Sequence, residues 1–443
     1  MAMYIIRPTT ITEAMLFGTD IPETDYAEWA VGTAYTALDY CIVAAQHKIY
    51  RALVNVTGGD SPEIDVTNTT PKWQEISATN RWKPFDAVIG TKASRATSAT
   101  WVLDPGLIDS IAVLNVAASS IQIVLADQDQ DVITNGTAWT GATGTTPPTG
   151  WTVESAQPTF TIDAGKLKIE AGAGEGGCNQ TITVVPGTEM QLLFKYRNTA
   201  GDLARYRVYD VTNSASILTT TDLPDAETES VISYVFTVPA GCTEILIALL
   251  AKSAGDIVWF DSFSLSPTVY NTTTDMVSTI NIIDEYTYFF EPIIWATSVT
   301  KLNLATGGLP PYPNATVTVT VTNTGGTAEC GAIVPGLKLE IGGLQRGPKP
   351  GCKSYSTKTE DAFGNYTVTK RANKKLLSCQ LWVKNTIIDF VLQQLALYDS
   401  ELLVWVGLET YECLVIYGFW VSFDPSMDYD DFTIMDLKVE GVI

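Results

Sequence analysis

The sequence has little of what most enzymes use for chemistry. It contains a single histidine, His47, in 443 residues. Ser-His-Asp triads, Cys-His pairs and multi-histidine metal sites are therefore not expected. No GxSxG, HExxH or phosphate-binding loop occurs, and GAGEGG at 172–177 reads as a loop. Paired carboxylates for glycoside hydrolysis remain open, because their separation is not visible in a sequence. We predict that the chain is not an enzyme.

Positive charge and long apolar runs are also scarce. The chain has 27 Lys and Arg against 49 Asp and Glu, a formal charge of -22. Nucleic acids and anionic membranes repel so acidic a protein, so neither is an expected partner. No stretch reaches the ~18 apolar residues of a membrane-spanning helix, so no membrane insertion is expected.

Cysteines are too scattered to form a framework. The seven are odd in number and never spaced CxxC, which argues against a disulfide scaffold or a zinc site. The opening MAMYIIRPTTITEAMLFGTD lacks the basic segment and apolar core of a signal peptide. We expect synthesis and assembly in a cytoplasm.

Short alternating runs rich in Thr, Val, Tyr and Trp dominate the sequence, which favours strands over helices. The length predicts about three domains. We predict a mostly-β, multi-domain protein of antiparallel sandwiches, with an inserted jelly roll and a C-terminal β domain carrying one helix. The expected units are a small β module over 1–80, a discontinuous sandwich over 81–127 and 270–305, the jelly roll over 128–269, and the C-terminal domain over 306–443.

One segment reverses the acidic balance. Between Arg346 and Lys375 eight Lys and Arg face only Glu360 and Asp361. Such a run is either a solvated loop or a surface that docks on an acidic neighbouring subunit.

The first module contains W-x-x-G-x-x-Y, then an apolar strand, then KIYRA and a later Pro and Trp. This order resembles the small chitin-binding-type modules of polysaccharide-acting proteins, although Leu38-Asp39 replaces their usual glycine-aspartate. Its aromatic side chains either bind sugar or simply form the core of a small unit.

The stretch IVLADQDQDVITNGT, residues 123–137, marks the entry into the insertion. An apolar strand ends in acids and glutamines, and Asn135-Gly136 is a turn signal. About nine strand-like runs follow before residue 267, a number that suits a two-sheet jelly roll.

The insertion resembles the jelly-roll carbohydrate-binding modules. The similarity runs from the Asn-Gly turn through G-x-L-x-I, L-x-F-x-Y and Y-x-F-x-V-P-A-G to FDSFSL at 260–265. In that family a calcium ion often ties the first strand to the last. The resemblance implies Asp261 as a late ligand, with Asn135 or Asp131 supplying early oxygens. Asp261 can equally hydrogen-bond a turn.

Sugars bind an aromatic face together with polar side chains that match their hydroxyls. Strand alternation places Arg205 and Arg207 on one face and Tyr206 with Val208 on the other. The alternative is that Tyr206 belongs to the core and the arginines are solvated. Trp259 is expected in the core. The glycan-binding candidates are Tyr196, Arg205, Tyr206, Arg207, Tyr209 and Trp151.

The C-terminal module carries the one predicted helix, from about Thr386 to Tyr398. Asn385 is the expected cap. The spacing predicts an apolar face, made of Ile387, Ile388, Val391, Leu395 and Tyr398. The remaining strands and the single helix are compatible with the tail-tube-like fold that phages reuse in ring-forming components.

Residues 81–127 and 275–443 together resemble tailed-bacteriophage tail-tip or baseplate proteins. The landmarks are NRWKPFD, EYTYFFEP, DAFGNYTVTKRA and VIYGFWVSFD. The resemblance implies a virion structural protein that assembles with other tail proteins as a homo-oligomer, a trimer or a hexamer ring. The jelly roll would then contact bacterial surface glycans during host attachment. The alternative function is a free multi-modular carbohydrate-binding adhesin.

Overall fold

A computed structural model describes residues 2–57, 59, 61–88, 90–155, 157–279, 298–360, 365–371, 373–427 and 429–442. The molecule is mostly β, with antiparallel sheets that confirm the fold class expected from the sequence. Within the described residues the α-helices are α1, Pro62–Asp65, and α2, Ile388–Leu397. Neither of these two described helices is long and apolar enough to cross a membrane.

The N-terminal part of the chain contributes ten strands before the insertion. They are β1 Ala2–Pro8, β2 Leu16–Thr19, β3 Ala34–Tyr35, β4 Tyr40–Val43, β5 Lys48–Ala52, β6 Val56–Thr57, β7 Trp73–Ala78, β8 Ala93–Leu103, β9 Ser110–Leu114 and β10 Ser120–Asp127.

The insertion forms ten strands in the described residues. They are β11 Thr152–Glu154, β12 Thr159–Asp163, β13 Lys166–Glu170, β14 Gly176–Thr183, β15 Glu189–Asn198, β16 Ala204–Asp210, β17 Ala215–Asp222, β18 Ser230–Thr237, β19 Glu244–Ala251 and β20 Ile257–Asp275.

The C-terminal part supplies the remaining described strands. They are β21 Val277–Thr279, β22 Ser298–Thr300, β23 Leu304–Gly307, β24 Ala315–Cys330, β25 Ala332–Leu344, β26 Lys349–Ser354, β27 Thr357–Glu360, β28 Tyr366–Thr369, β29 Asn373–Lys384, β30 Leu403–Val406, β31 Val415–Ser426 and β32 Phe432–Gly441.

A scaffold of two large sheets holds the ends of the chain together. One sheet has the order β23-β9-β25-β1-β30-β31-β32-β29-β26, and the other contains β20-β10-β24-β8-β2. Strand alternation divides β1 between two cores, because Ile5 packs with α2 on one side and Ile6 packs on the other. The sandwich core between the two sheets contains Trp101, Ile123 and Val319.

Strand pairing crosses two of the boundaries expected from the sequence. β1 pairs with β25 and β30, and β2 pairs with β8, so residues 2–19 belong to the scaffold and not to the small module. β24 pairs with β10 and β8, which joins the expected sandwich to the expected C-terminal domain. Such partners lie far apart in sequence, and local patterns do not reveal them.

The small module consists of the sheets β4-β5-β7 and β3-β6 with α1. Trp73 and Tyr50 are buried in its core, and Trp29 and Tyr35 pack against that core. Most of the aromatic residues noted in its sequence therefore serve packing.

The jelly roll has two sheets around one core. We call β12-β13-β20-β15-β18 the docked sheet and β11-β14-β19-β16-β17 the open sheet. Phe194, Phe260 and Phe263 pack between them, with ring centroids 5.1 to 6.0 Å from Phe194. Asn135 adopts a left-handed conformation, and the next residue must be small because a side chain on Gly136 would strike the Phe263 carbonyl.

The insertion enters and leaves the scaffold differently. On entry the Asp127 carboxylate accepts from Asp129 N at 3.1 Å and caps a 3-10 turn, Gln128–Gln130. On exit there is no linker, because β20 starts in the docked sheet and continues as the partner of β10 from Thr268 onward. The expected boundary at residue 269 therefore falls inside a continuous strand.

Helix α2 confirms the single helix expected in this region and most of its expected apolar face, with a different cap. Asn385 donates to the Tyr429 and Asp430 carbonyls at 2.9 and 2.8 Å, so it holds a loop and does not cap the helix. Ile388, Val391 and Leu395 are buried, whereas Ile387 is 41% exposed, because the helix begins after it. The aromatic run at 284–292, favoured as a strand, lies outside the described residues.

Candidate functional site

The two sheets of the jelly roll expose very different outer faces. On β15 the side chains that point away from the core are Gln191, Leu193 and Lys195. Gln191 Nε2 donates to Thr318 Oγ1 of the scaffold at 2.8 Å, and Leu193 packs with Val102 and Phe17. The outer face of the docked sheet is therefore an internal contact along most of β15.

The open sheet directs a polar face to solvent. Arg205, Arg207 and Tyr209 alternate with the buried Tyr206 and Val208 along β16, as strand periodicity predicts. Their neighbours across the sheet are Ala248 and Leu250 of β19, then Asn179 and Gly177 of β14. We call the outer side of this sheet the arginine face, made of Glu154, Glu175, Asn179, Arg205, Arg207, Tyr209, Asp222 and Lys252.

One half of the arginine face is organised around Glu154. Its two carboxylate oxygens accept from Arg207 Nη2 and from Asn179 Nδ2. Asn179 Oδ1 in turn accepts from Thr152 Oγ1 at 2.5 Å. Arg207 Nε has no partner within the described structure. These contacts fix the arginine, the amide and the carboxylate relative to one another.

The other half is organised around Arg205. Its guanidinium donates to Glu175 at 2.5 Å and to Asp222, and Lys252 reaches the same Asp222 at 2.7 Å. Hydrogen bonds from Arg205 and Lys252 hold the pKa of Asp222 below its ordinary value. Mutual support with Asp222 raises the pKa of Arg205. The three cations and three carboxylates of this face balance, so the surface is neutral but dense in donors and acceptors.

The remaining aromatic candidates do not contribute to this face. Tyr196, Tyr206 and Trp151 are buried in the jelly-roll core, at 2%, 6% and 4% exposure. Tyr196 donates its hydroxyl to the Pro224 carbonyl at 3.0 Å, and Trp151 Nε1 donates to the Thr134 carbonyl at 3.0 Å. None of the three presents a ring to solvent, so for these the expectation of a sugar platform was wrong. They point inward because alternation and turn packing assign them to the core.

The three residues expected to hold calcium have other partners. Asp131 Oδ1 accepts from the Ile133 and Leu265 backbone at 3.0 and 2.8 Å, and burial raises its pKa. Asn135 binds Thr140 and Thr149 through both ends of its amide. Asp261 accepts from Ser262 N and lies 3.9 Å from Lys166 Nζ. Among the described residues no group of three His, Cys, Asp or Glu side chains is suited to a metal. These contacts do not favour calcium binding, which stays a prediction.

Trp259 is a further aromatic residue that sequence reasoning misplaced. It was expected in the core, but it is only partly buried, on the outer face of the docked sheet. Its Nε1 donates to Asp163 at 2.8 Å, and the Arg197 guanidinium lies 4.2 Å from its ring centroid. Alternation was the available signal, because Trp259 is out of phase with the core residues Val258 and Phe260.

The arginine face can recognise hydroxyl-rich ligands. A sugar hydroxyl both donates and accepts, so it can bridge a carboxylate and a guanidinium that lie side by side. Hydrogen bonds to charged groups contribute about 1.5–3 kcal/mol each. Tyr209 supplies the partly exposed aromatic ring of this face.

Comparison with solved structures gives similarities over about a third of the chain. A tailspike enzymatically active domain of bacteriophage CBA120 is 18% identical, with a TM-score of 0.25, over 31% of this chain and 21% of that one. The xylan-binding domain from Paenibacillus barcinonensis is 13% identical, with a TM-score of 0.26, over 32% of this chain and 96% of that one. The N-terminal cellulose-binding domain of a Cellulomonas fimi glucanase is 18% identical, with a TM-score of 0.23, over 27% and 90%. No family model and no curated protein matches the chain.

Proposed function

We propose that this chain is a structural protein of a bacteriophage tail tip or baseplate and that its jelly roll binds glycans of the host surface. The observation that carries the glycan role is the arginine face. It is open to solvent, neutral in charge and pre-ordered by its own hydrogen bonds, while the outer face of the opposite sheet contacts the scaffold along most of β15.

The way the jelly roll is attached supports a role in attachment. The continuous strand β20 and the contact around Leu193 hold the jelly roll firmly on the scaffold. A ligand bound to the arginine face would therefore be coupled mechanically to the particle.

The basic segment supports assembly with acidic neighbours. Strands β26, β27 and β28 are exposed throughout, and Tyr366 and Val368 are 68% and 58% exposed. Within a chain of charge -22, this cationic projection is attracted to an acidic subunit and repels other basic ones. We propose that it contacts a neighbouring subunit of a homo-oligomeric ring in the virion.

We propose a binding role without catalysis. The one histidine, His47, lies 3.0 Å from Glu23 and stacks on Trp82 with ring centroids 4.4 Å apart. Those contacts suit a structural side chain of the small module.

A glycan array probed with the full chain tests the binding role. We expect binding to neutral host-surface saccharides, reduced at least about tenfold by Arg207→Ala, as the loss of one charged hydrogen bond implies. Arg197→Ala is the matched control, since it removes an arginine from the docked sheet, and it should bind normally. Binding that is absent, or equally weakened by both variants, would reject the arginine face as the site.

Light scattering after size exclusion separates the tail protein from the free adhesin. A ring protein should give a trimer or hexamer whose mass falls as salt rises, because its docking is electrostatic. Mass spectrometry of purified virions should then detect the chain. A monomer at every concentration, absent from virions, would favour the adhesin.

A further inference from the structure

A cationic cleft lies where the basic segment returns to the body of the protein, and it shares no residue with the arginine face. Its volume is about 390 Å³, within the roughly 300–1,000 Å³ of ligand pockets. Lys370, Arg371, Asn373 and Lys375 contribute to its lining. Among the described residues that line it, none is Asp or Glu. A cleft without carboxylates is unexpected in a chain of charge -22, so its chemistry favours an anion.

Two of the cations in this lining remain unpaired. Lys370 and Arg371 are exposed, and neither forms an ion pair with any residue that the structure describes. The main chain of Arg371 is held by Ser356, whose Oγ accepts from Arg371 N at 2.9 Å and donates to the Arg371 carbonyl at 3.3 Å. The backbone is therefore anchored at the cleft, and the guanidinium is left to meet a ligand.

The carboxylates of neighbouring strands and loops already have partners. Glu412 Oε1 lies 3.6 Å from Lys375 Nζ, and Glu440 pairs with Lys374. These two pairs account for the acids closest to the base of the basic segment in the described structure. They leave the two exposed cations without a partner.

The rest of the lining includes a neutral, apolar wall. Leu114, Val415 and Tyr417 belong to one buried cluster and also line the cleft. Burial, with a smaller contribution from Asp86, raises the pKa of Tyr417 to about 12, so its phenol is uncharged at neutral pH. Asp86 is not part of the lining and accepts from Thr91 Oγ1 at 2.8 Å. The cleft thus offers cations beside an apolar surface.

We propose that this cleft binds the phosphate group of a phosphorylated polyol or sugar. A phosphate monoester carries about −1.5 to −2 charges at neutral pH and three acceptor oxygens, which suits two unpaired cations. The Arg371 guanidinium meets two of these oxygens as a bidentate fork, and Lys370 supplies a point charge. The Asn373 amide both donates and accepts, so it matches the polyol hydroxyls. The carbon skeleton packs on the wall at Leu114.

Calorimetric titration of the full chain with glycerol 3-phosphate, inorganic phosphate, glycerol and acetate tests the site. We expect glycerol 3-phosphate to bind with millimolar affinity or better, and glycerol and acetate at least about tenfold more weakly. Inorganic phosphate should bind severalfold more weakly, because it lacks the polyol. Arg371→Ala and Lys370→Ala should each weaken glycerol 3-phosphate at least about tenfold, as the loss of a charged hydrogen bond implies. Arg371→Lys, which keeps the charge but not the fork, should restore part of the affinity.

Lys358→Ala is the matched control, because it removes an exposed lysine of the same basic segment that does not line the cleft. It should bind glycerol 3-phosphate normally. Arg207→Ala on the arginine face should also leave this binding unchanged, so this test and the glycan array fail independently.

Several results would overturn the proposal. Equal affinity for acetate would mean a general anion site, and equal affinity for inorganic phosphate would remove the role of the polyol. An equal loss in Lys358→Ala would mean that the whole basic segment attracts anions. Unchanged binding by both Arg371→Ala and Lys370→Ala would place the ligand elsewhere. No binding up to about 10 mM glycerol 3-phosphate would reject the site, and binding of a glutamate peptide instead would assign the cleft to an acidic chain segment.

Discussion

The two sheets of the jelly roll have similar strands, but the outer face of one contacts the scaffold and the outer face of the other is exposed to solvent. On the docked sheet the outward side chains of β15 are apolar or amide groups that contact the scaffold, such as Leu193 and Gln191. On the open sheet the outward side chains of β16 are arginines paired with carboxylates. The comparison teaches that the two outer faces of one jelly roll can have different surroundings, since one face secures the module on the scaffold and the other presents paired charges to solvent.

Removing the jelly roll is the most severe test of the contrast between the two sheets, and it has the largest expected effect. Replacing 128–267 by a short linker keeps the pairing of Ala126 with Thr268, so we expect the scaffold to fold. Exposure of Phe17 and Val102 should still cost about 3–6 kcal/mol, at about 1.5–3 kcal/mol for each apolar side chain. Urea unfolding followed by circular dichroism measures this loss.

A second deletion tests where the insertion ends and the scaffold resumes. Removing 128–269, the range expected from the sequence, also deletes Thr268, and the resulting protein should be less stable than the first deletion variant. If neither protein folds, the jelly roll is required for the scaffold and the insertion is not a separable domain.

Truncating one leucine on each sheet compares the two faces directly. Leu193 is 1% exposed, so Leu193→Ala should cost about 2–4 kcal/mol through lost burial and a cavity. Leu246 occupies an outward position on the open sheet and is only partly buried, so Leu246→Ala should cost less than about 1 kcal/mol. Denaturant midpoints of both variants give the answer, and equal losses would mean that the open sheet is also covered.

High pH probes the core that both sheets share. Burial raises the pKa of Tyr206 to about 12, above its value of 10.0 in an unfolded chain. A raised pKa stabilises the folded state below pH 10 and loses that contribution as the pH rises toward 12. We expect Tyr206→Phe to reduce this pH-dependent loss of stability by about 3 kcal/mol, at about 1.4 kcal/mol per pKa unit. Thermal unfolding between pH 9 and 12 would show no such flattening if the phenol were exposed.

Sequence periodicity predicted much of the difference between the outer faces of the two jelly-roll sheets, but it did not reveal the cause of that difference. Alternation correctly separated Arg205 and Arg207 from the inward Tyr206. It could not say which outer face of the jelly roll meets the scaffold, because that depends on Leu193 finding Val102, some 90 residues away in the chain. The aromatic candidates failed for a related reason, since tyrosine and tryptophan rings pack in cores as readily as they contact ligands, and their type alone does not separate the two roles.

Pairing between strands that lie far apart in the chain was the other feature that the sequence could not predict. The run AMYIIRP reads as a strand, yet nothing near it indicates that its partners are residues 336–343 and 404–406. The junction at Asp127 was visible because a polar turn ends an apolar strand there. The exit was not visible, because β20 passes from jelly roll to scaffold without a turn.

The smallest expected effect lies on the open sheet. The pKa of Asp222 is lowered by its hydrogen bonds to Arg205 and Lys252. A lowered pKa contributes stability above the ordinary value of 3.8, and the contribution disappears as the pH falls through the lowered value. Because Asp222 is exposed and screened by solvent, Asp222→Asn should lower the melting temperature only slightly at pH 7, and the two proteins should converge in acid. A large loss at pH 7, or a gap that persists in acid, would mean that the arginine face is part of the jelly roll's structural support and not a surface left free for ligands.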